Sequence, residues 1–537
     1  MNIKDLEQKL KNQQKGRTIG KKLKDLPSPS MLKNCIPLAK QIKERLMRGE
    51  RMLVAGDYDA DGILGTAAFM SFIRDLGFTE DIVDFIIPNR LKDGYGISQN
   101  IIEYAKSNNF DFIMTIDNGI SAVEAVKLSN EYGIPVYITD HHTAPEILPE
   151  AELIVNPKVP GETFPFKEIS GATVAWYVAV ALRAEFNVQI DMRKYLDYIG
   201  ITILSDVMPL DDINLAILDY AMKQIKDRKR YIYQLIWNDY TAPTINTTEI
   251  SFSLVPKINA IGRINDANIG VRLFMNKKKE EIKELYEYIS NINDIRKEMS
   301  RNSTQKALDY VYENGFEKDS VIIVRNKDFH EGIVGIIAGK LAEKFRRPAY
   351  VFSYNKEKDI WKGSARSVAN IHLYELTSAA KEFILGFGGH KGAVGLAVTE
   401  NNWEQFVSSI KEAGNSFSEK DFEDESLVPI SCSIADINEE VIDLLNKYGP
   451  FGQGNPEPVF LAEDIDISIE REMKNGLHFK TIVSDDTGSS TALFFNVNKE
   501  DFLKKIEEDE KSILFYPSLK YDLRKEKFSH ELICSLF

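Results

Sequence analysis

The chain has 537 residues, with 67 Lys or Arg, 81 Asp or Glu and 43% hydrophobic residues, so its formal net charge is −14. This length predicts several domains with substantial cores, and this hydrophobic content excludes a wholly disordered chain. No apolar run approaches the roughly 20 residues of a membrane span, which argues against a transmembrane protein. The acidic balance excludes a basic coat for nucleic acid, but a local basic groove remains compatible with it.

The N-terminal region and the cysteines indicate the compartment. Residues 1–26 are polar and lack the apolar stretch of a signal peptide. Cys35, Cys432 and Cys534 are odd in number and far apart, which argues against a disulfide framework or a zinc finger. We therefore expect a protein of the reducing cytoplasm.

In chain order, residues 1–50 predict a basic, mostly helical lead-in. Short apolar runs then alternate with helical patterns. The predicted strands cover 52–56, 81–87, 110–116 and 134–139, and the predicted helices cover 62–77, 97–108 and 121–133. This alternation indicates an α/β domain with a doubly wound parallel sheet, which we expect over residues 51–230.

The rest of the chain predicts three further parts. A helical connector is expected over 231–315, in which the charged segment 277–315 forms an extended helix or helix pair that joins two bodies. A second, smaller α/β domain is expected over 316–415. The acidic run 416–426 predicts a linker, and the short alternating strands of 427–537 predict a small β-barrel.

A run of carboxylates begins where the first predicted strand ends. Asp57, Asp59 and Asp61 alternate along extended backbone, so their side chains point the same way. Carboxylates this close repel one another, and a divalent cation relieves the repulsion. A calcium EF-hand loop is rejected because its twelfth position falls on Ala68, which has no ligand oxygen in its side chain.

Three further polar sites follow apolar runs: Asp117, the triplet Asp140-His141-His142, and Asp206. We expect all of them at the carboxyl ends of strands, in one crevice of the sheet. A single Asp in such a place is usually a helix N-cap, but four sites in register are hard to explain as caps. Carboxylates with imidazole and no thiolate suit Mn²⁺ or Mg²⁺, and a pair of such ions is a standard arrangement for phosphate-ester hydrolysis.

These motifs, in this order, resemble the DHH phosphoesterase superfamily, and other segments resemble its RecJ family of single-stranded-DNA exonucleases. The segments that carry the second resemblance are 87–98, 256–267, 362–367, 388–395 and PFGQGNPEP at 450–458. The resemblance implies a DHH catalytic domain, a DHHA1 substrate-binding domain and a C-terminal OB-fold that binds nucleic acid. It also implies a 5′→3′ exonuclease that releases nucleoside 5′-monophosphates in DNA repair and recombination.

The resemblance implies roles for the residues of the acidic cluster. Metal ligation is implied for Asp59, Asp61, Asp117, His141 and Asp206, with Asp57 in or beside the ligand set. Family members often have His at the position of Ala55, so one contact of the metal site differs here. Asp140 and His142 are the catalytic candidates. His142 would contact the scissile phosphate or assist proton transfer, and an orienting role beside His141 is the alternative.

The implied substrate-binding residues lie in separate motifs. Arg90, Arg263 and Arg366 would hold the 5′ phosphate and the adjacent backbone, because arginine grips phosphate bidentately, although surface ion pairs are the ordinary alternative. The other candidates are hydroxyls, a glycine-rich loop and a ring: Ser364, Ser367, Gly389, His390 and Tyr95. In the barrel, Phe451, His478 and Lys480 are candidates for a stacking platform, whereas Phe479 is expected to fill the core.

Two other functions remain open at this point. A DHH phosphodiesterase that acts on short oligoribonucleotides or cyclic dinucleotides would resemble only the first two domains. A non-catalytic, replication-associated single-strand-binding protein would have lost metal carboxylates, all of which are present here. For the leading interpretation we expect a monomer with two Mn²⁺ or Mg²⁺ ions, single-stranded DNA as substrate, and a helicase and a single-strand-binding protein as candidate partners.

Overall fold

The computed structural model describes residues 1–537 apart from 16, 18–19, 95, 238–244, 423–427, 474–475, 496, 498, 509–510, 523–526 and 537. The described residues form three sheets, each of which organises one domain. Among the described helices, none combines the length with the apolar character that a membrane crossing needs.

The first domain is built on five parallel strands, and its sheet was correctly predicted as parallel. The strands are β1 (Met52–Ala55), β2 (Val83–Ile86), β3 (Phe112–Thr115), β4 (Val136–Thr139) and β5 (Leu153–Val155), in the order β2-β1-β3-β4-β5. Every residue of β1, β3 and β4 is buried, as expected for parallel strands covered by helices on both faces. The short strand β5 was not predicted.

Helices precede this sheet, alternate with its strands and follow it. They are α1 (Ile3–Gln13), α2 (Cys35–Met47), α3 (Ala60–Asp75), α4 (Gln99–Ser107), α5 (Val123–Glu131), α6 (Gly171–Phe186), α7 (Leu196–Ser205) and α8 (Asp212–Lys226). Helix α3 lies against α6 at very short range, because a Cβ on Gly65 would come within 2.9 Å of the Cβ of Ala172. This close packing brings the N-terminal ends of both helices to the carboxyl edge of the sheet.

A helical connector follows the first domain. Its described helices are α9 (Tyr231–Ile236), α10 (Thr247–Glu249), a π-helical turn (Ile250–Leu254), α11 (Val255–Ile264), α12 (Asn268–Met275) and α13 (Lys279–Glu313). The segment predicted as an extended helix or helix pair is the single 35-residue helix α13. It packs on α11 at its beginning and on the second domain at its end, and it therefore joins two bodies as predicted.

The second domain contains a mixed sheet. Its elements are β6 (Ile322–Asn326), α14 (Val334–Phe345), β7 (Ala349–Asn355), β8 (Ile360–Arg366), α15 (Leu373–Ser378), β9 (Gly386–Gly389), β10 (Ala393–Thr399) and α16 (Trp403–Gly414), with strand order β6-β7-β8-β10-β9. Helix α15 lies between β8 and β9. The predicted linker 416–426 is partly packed, because Phe422 is buried in this domain's core, while residues 423–426 lie outside the described residues.

The C-terminal domain is built on seven strands. Its elements are β11 (Ile430–Ser431), α17 (Glu439–Tyr448), β12 (Phe460–Ala462), β13 (Asp466–Met473), β14 (His478–Asp485), β15 (Gly488–Phe495), α18 (Lys499–Ile506), β16 (Ile513–Asp522) and β17 (Lys527–Leu536). The strand order is β11-β12-β16-β17-β15-β14-β13. The predicted succession of an α/β domain, a helical connector, a smaller α/β domain and a C-terminal β domain is confirmed.

Helix α1 packs on the C-terminal domain rather than on the first domain that follows it in sequence. Leu6 and Leu10 are 2% and 1% exposed and belong to the same core as Phe460. The N-terminal ammonium of Met1 lies 2.6 Å from Asp436 Oδ2. Periodicity predicts an apolar face on this helix, but it does not show which distant surface covers that face.

This packing predicts a stability effect. We expect Leu10→Ala to lower the free energy of unfolding of the C-terminal domain by about 2–5 kcal/mol, because it leaves a cavity in that core. Equilibrium urea unfolding followed by circular dichroism measures the change. Leu385→Ala is the matched control, because Leu385 is 60% exposed, and we expect it to change stability by less than about 0.5 kcal/mol. A wild-type urea midpoint for Leu10→Ala would contradict the role of α1 in the core.

Candidate metal centre

The acidic motifs meet where the strand order of the first sheet reverses. The order β2-β1-β3-β4-β5 places the switch point between β1 and β3, and ligands of open α/β sheets bind outside the carboxyl ends of strands at such a point. Asp57 follows β1, Asp117 follows β3, and Asp140 and His141 follow β4. The expected convergence of these residues is observed.

Asp206 reaches the same crevice by a different route from the one predicted. It does not follow a strand but ends helix α7, where its N–H donates to Thr202 O at 3.0 Å. The apolar run before it is helical and packs on α3 and α8. Asp206 was therefore correctly predicted to lie in this crevice, but the predicted reason, a position at the end of a strand, was wrong.

His141 lies at the middle of one group of acids. Its Nε2 is 3.2 Å from Asp117 Oδ1, 3.4 Å from Asp206 Oδ2 and 3.9 Å from Asp61 Oδ2. Burial, together with the charge of His142, lowers the pKa of His141 to about 3. The imidazole is therefore neutral, which is the form that binds a metal ion.

Asp117 links this group to a second one. The ligand atoms of Asp57, Asp59 and Asp117 lie within 4.8 Å of one another, and so do those of Asp117, His141 and His142. A carboxylate shared between two groups is the arrangement that a pair of neighbouring cations requires.

Backbone amides hold two of these acids in place. Asp59 Oδ1 caps helix α3 by accepting from the N–H of Asp61 at 2.9 Å and of Gly62 at 3.2 Å. Asp61 accepts from the N–H of Gly171 at 2.7 Å and of Ala172 at 3.0 Å, at the start of α6. The N-terminal ends of both helices therefore stabilise negative charge at the centre.

Two positioning residues were missed by the sequence analysis. A Cβ on Gly171 would lie 2.4 Å from Asp117 Oδ1, so the centre requires glycine there. Asn118 donates to Ala55 O at 3.0 Å and to Ile116 O at 2.9 Å, and it accepts from Ile97 N at 3.0 Å. The D-N-G sequence signals Asn118, whereas no local pattern signals Gly171.

Asp140 holds His142 at the edge of the centre. Asp140 Oδ1 accepts from the N–H of His141 and of His142 and lies 2.7 Å from His142 Nδ1, while Oδ2 accepts from Ile120 N. Burial alone would lower the pKa of His142, but the hydrogen bond and charge of Asp140 raise it to about 9. The side chain of His142 is 44% exposed, so it is open to a substrate.

The donor set fits divalent cations. Burial and mutual repulsion raise the pKa of four neighbouring carboxyls, those of Asp57, Asp61, Asp117 and Asp206. Asp57 Oδ1 and His141 Nε2 are buried and make no hydrogen bond within the described residues. Carboxylate oxygens with one or two imidazoles are typical ligands of Mn²⁺ and, with fewer nitrogens, of Mg²⁺.

Three arginines from three different segments lie beside this centre. Burial and the nearby charges of Arg90 and Arg366 lower the pKa of Arg263 to about 10. In the described part of the chain their hydrogen-bond and ring partners are neutral: Gly332 O for Arg263, Ser364 Oγ and Ala365 O for Arg366, and the ring of Tyr58 for Arg90. Clustered guanidinium groups with neutral partners form a site for an anion.

The other candidates of the second domain differ in position. Ser364 Oγ lies 2.9 Å from Arg366, but the hydroxyl of Ser367 donates to Ile371 O within its own loop. Gly389 has a φ of +150°, and a Cβ there would lie 2.2 Å from Ala393 O. Burial, followed by the charges of Arg366 and His142, lowers the pKa of His390, so His390 is near the centre. Tyr95, the remaining substrate-binding candidate, belongs to the first domain and lies outside the described residues.

The aromatic residues of the C-terminal domain divide between core and surface. Phe479 is 1% exposed and stacks on Phe502 at 4.5 Å, which confirms that it fills the core. His478 meets Phe495 edge-on at 5.4 Å, and Phe495, which was not predicted, is 44% exposed. Lys480 forms an ion pair with Glu470 at 2.7 Å. The half-buried His478 and the exposed Phe495 thus form an aromatic pair.

Family comparisons cover all three domains. Residues 51–203 match the DHH family N-terminal domain, residues 318–415 match the DHHA1 domain, and residues 429–528 match the RecJ OB domain. These matches confirm that the small β domain is an OB domain and that the fold class was correctly predicted.

Two solved structures resemble the chain. The structure of RecJ with Mn²⁺ from Thermus thermophilus has a TM-score of 0.75 and 24% identity, over 94% of this chain and 72% of that one. An exonuclease RecJ bound to manganese has a TM-score of 0.61 and 28% identity, over 73% of this chain and 96% of that one.

Two curated relatives are both described as single-stranded-DNA-specific exonuclease RecJ. The Bacillus subtilis protein is 33% identical over 478 residues, which are 88% of this chain and 59% of the relative, so this chain spans less than two thirds of that protein. The Escherichia coli protein is 32% identical over 435 residues, which are 77% of this chain and 74% of the relative. The chain therefore belongs to the RecJ family of single-stranded-DNA-specific exonucleases.

Proposed function

We propose that this chain is a 5′→3′ exonuclease that hydrolyses single-stranded DNA to nucleoside 5′-monophosphates with two Mn²⁺ or Mg²⁺ ions. The observation that carries the proposal is the juxtaposition of a buried acidic centre with a cluster of neutrally partnered arginines. A nuclease of this kind needs both, because cations must neutralise the scissile phosphate and a separate site must bind the end of the strand. A non-catalytic binding protein has no need of the complete acidic set.

The residues that would hold the ions are Asp57, Asp59, Asp61, Asp117, His141 and Asp206. When bound, the two cations would neutralise charge on the phosphodiester and make the attacking water more acidic. The N–H groups at the starts of α3 and α6 keep Asp59 and Asp61 in fixed orientations before any cation arrives.

We assign Asp140 as the positioning residue of His142. Its carboxylate holds Nδ1 of the imidazole at 2.7 Å, which leaves Nε2 as the ring nitrogen that a substrate can meet. His142 would donate a hydrogen bond to the scissile phosphate or a proton to the leaving oxygen. The protonated form, which Asp140 favours, is the form that both roles require.

Arg90, Arg263 and Arg366 would bind the terminal 5′ phosphate, with Ser364, Gly389 and His390 completing the pocket. The position of this pocket beside the metal centre would place the first phosphodiester bond at the cations, so each cut would release one nucleotide. Only the sequence resemblance supports Ser367 and Tyr95 as substrate-binding residues. The aromatic pair of His478 and the exposed Phe495 would stack on bases farther along the strand.

The domain bounds form part of the same proposal: a lead-in at 1–50, the DHH catalytic domain at 51–230, the connector at 231–315, the DHHA1 domain at 316–415 and the OB domain at 427–537. A monomeric state, a cytoplasmic location, and a helicase and a single-strand-binding protein as partners are also proposed. They follow from the sequence resemblance and from the scattered cysteines.

The direct test uses single-stranded DNA labelled at one end. With Mn²⁺, we expect 5′-labelled strands to release labelled mononucleotide at once, and 3′-labelled strands to shorten progressively from the unlabelled end. EDTA should abolish both reactions, and duplex DNA should be degraded much more slowly. Release of mononucleotide first from the 3′ label would contradict the polarity, and activity in EDTA would contradict the metal dependence.

We expect Arg366→Ala to reduce kcat/KM for 5′-phosphorylated strands by on the order of tenfold or more, because it removes a charged hydrogen bond to the phosphate. The preference for 5′-phosphate over 5′-hydroxyl strands should fall with it. Arg193→Ala is the matched control, since Arg193 is exposed and pairs with Asp191 away from the centre. An unchanged preference in Arg366→Ala would refute the assignment.

We expect Asp117→Asn to bind Mn²⁺ weakly and yet to melt at a higher temperature than the wild type in EDTA. The reason is that one charge is removed from four mutually repelling carboxyls in a buried site. Thermal melting with EDTA and with Mn²⁺ measures both effects, because a ligand stabilises only the state that binds it. Asp81→Asn, which changes an exposed residue, should behave as wild type in both conditions. Full Mn²⁺ stabilisation of Asp117→Asn would exclude this aspartate as a ligand.

A further inference from the structure

The metal-ligand candidate Asp206 sits at the start of an unusual loop, which we call the Asp206 loop (residues 206–212). The next residue, Val207, has a φ of +52° and is 61% exposed. A β-branched residue in the left-handed region is strained, and such strain persists only where the surroundings hold it. Here the turn closes helix α7, because Val207 N donates to Leu204 O at 3.4 Å and Met208 N donates to Ile203 O at 2.9 Å. The course of the loop beyond this turn is fixed farther along.

The anchor is Leu210, and its polar groups are satisfied from outside the first domain. Its N–H donates to the backbone carbonyl of Gln453 at 2.8 Å, in the C-terminal domain. Its carbonyl accepts from the guanidinium of Arg17, in the segment after α1. Its side chain is 1% exposed, and a Cβ on Gly452 would lie 2.7 Å from its Cδ1.

The contacting turn of the C-terminal domain, Gly452–Asn455, is held by hydrogen bonds of its own. Gly452 and Asn455 exchange two backbone hydrogen bonds of 2.9 Å. The buried side chain of Asn455 donates to Tyr448 O at 3.0 Å and to Pro450 O at 2.8 Å. Asn455 also accepts from Gln13 Nε2 at 3.0 Å, so the N-terminal segment is tied to the same turn.

A second contact of the N-terminal segment supports the same loop. Lys21 Nζ lies 2.5 Å from Asp212 Oδ1, at the far end of the Asp206 loop. The backbone N–H and carbonyl of Leu210 and the carboxylate of Asp212 are therefore all held by residues that lie far from Asp206 in sequence.

We propose that the Gly452–Asn455 turn, together with Arg17, is a positioning element for the metal ligand Asp206. By seating Leu210 it keeps the Asp206 loop in the conformation that brings the carboxylate within 3.4 Å of His141 Nε2. The OB domain thus supports cation binding in the first domain, in addition to holding DNA. The inference rests on the proposed function only in taking Asp206 as a ligand.

The test measures Mn²⁺ binding to the full chain by calorimetry without DNA. Gly452→Val displaces Leu210, and we expect it to weaken Mn²⁺ binding by about tenfold, a typical effect for residues that orient metal ligands. The Mn²⁺ concentration for half-maximal cleavage of short oligonucleotides should rise equally. Gly488→Ala is the matched control in the same domain, because the nearest atom to its Cβ would be 3.6 Å away.

Further variants keep the test decisive if Gly452→Val does not fold. Leu210→Ala and Arg17→Ala should also weaken Mn²⁺ binding, whereas Leu210→Met, which conserves volume, should retain it. Phe495→Ala should weaken binding of long strands without changing Mn²⁺ affinity. Folded Leu210→Ala and Arg17→Ala proteins with wild-type Mn²⁺ affinity would overturn the proposal, and so would a loss of thermal stability without a loss of affinity.

Failure of the proposed function would be separately visible. A wild-type protein that binds Mn²⁺ but does not degrade single-stranded DNA would contradict the nuclease activity, and the calorimetric comparison among the variants would still decide the positioning role.

Discussion

Mutual repulsion among carboxylates buried in one small volume is the constraint on which the structure depends. Asp57, Asp61, Asp117 and Asp206 converge at the carboxyl edge of the first sheet, where burial and their neighbours disfavour the charged forms. Helix N-termini at Asp59 and Asp61 offset part of this cost, and bound divalent cations would offset more of it. The first domain is therefore a scaffold that holds mutually repelling carboxyls together in a cluster that suits divalent cations.

The second domain and the connector supply the opposite charge, but they do not neutralise the acids. Arg366 comes from the second domain, and Arg263 comes from the connector, yet both keep neutral partners in the described part of the chain. In this part of the chain the acids and the arginines lie close together without forming ion pairs, so a phosphate can bind between them. A net charge of −14 is compatible with a nucleic-acid enzyme for this reason, since the basic groups are few and local.

The N-terminal and C-terminal segments contact each other and the loop that follows Asp206. Helix α1 completes the core of the C-terminal domain through Leu6 and Leu10, and the segment after it reaches Leu210 in the loop that follows Asp206. A truncation of residues 427–537 would expose the apolar face of α1 and remove the carbonyl that accepts from Leu210. Point variants therefore separate the roles of the OB domain better than its deletion does.

The sequence by itself determined the alternation of strands and helices, the long connecting helix and the spacing of the acidic motifs. These are local properties, because periodicity and turn residues act over a few positions. It also determined Phe479 as a core residue and the family, through motifs that stand in a characteristic order.

Only the tertiary structure decided that Asp206 ends a helix, that Gly171 must lack a side chain beside Asp117, and that α1 packs on the C-terminal domain. Each of these depends on contacts between residues far apart in the chain. Their physical reason is steric fit and hydrogen bonding between surfaces that no short stretch of sequence contains.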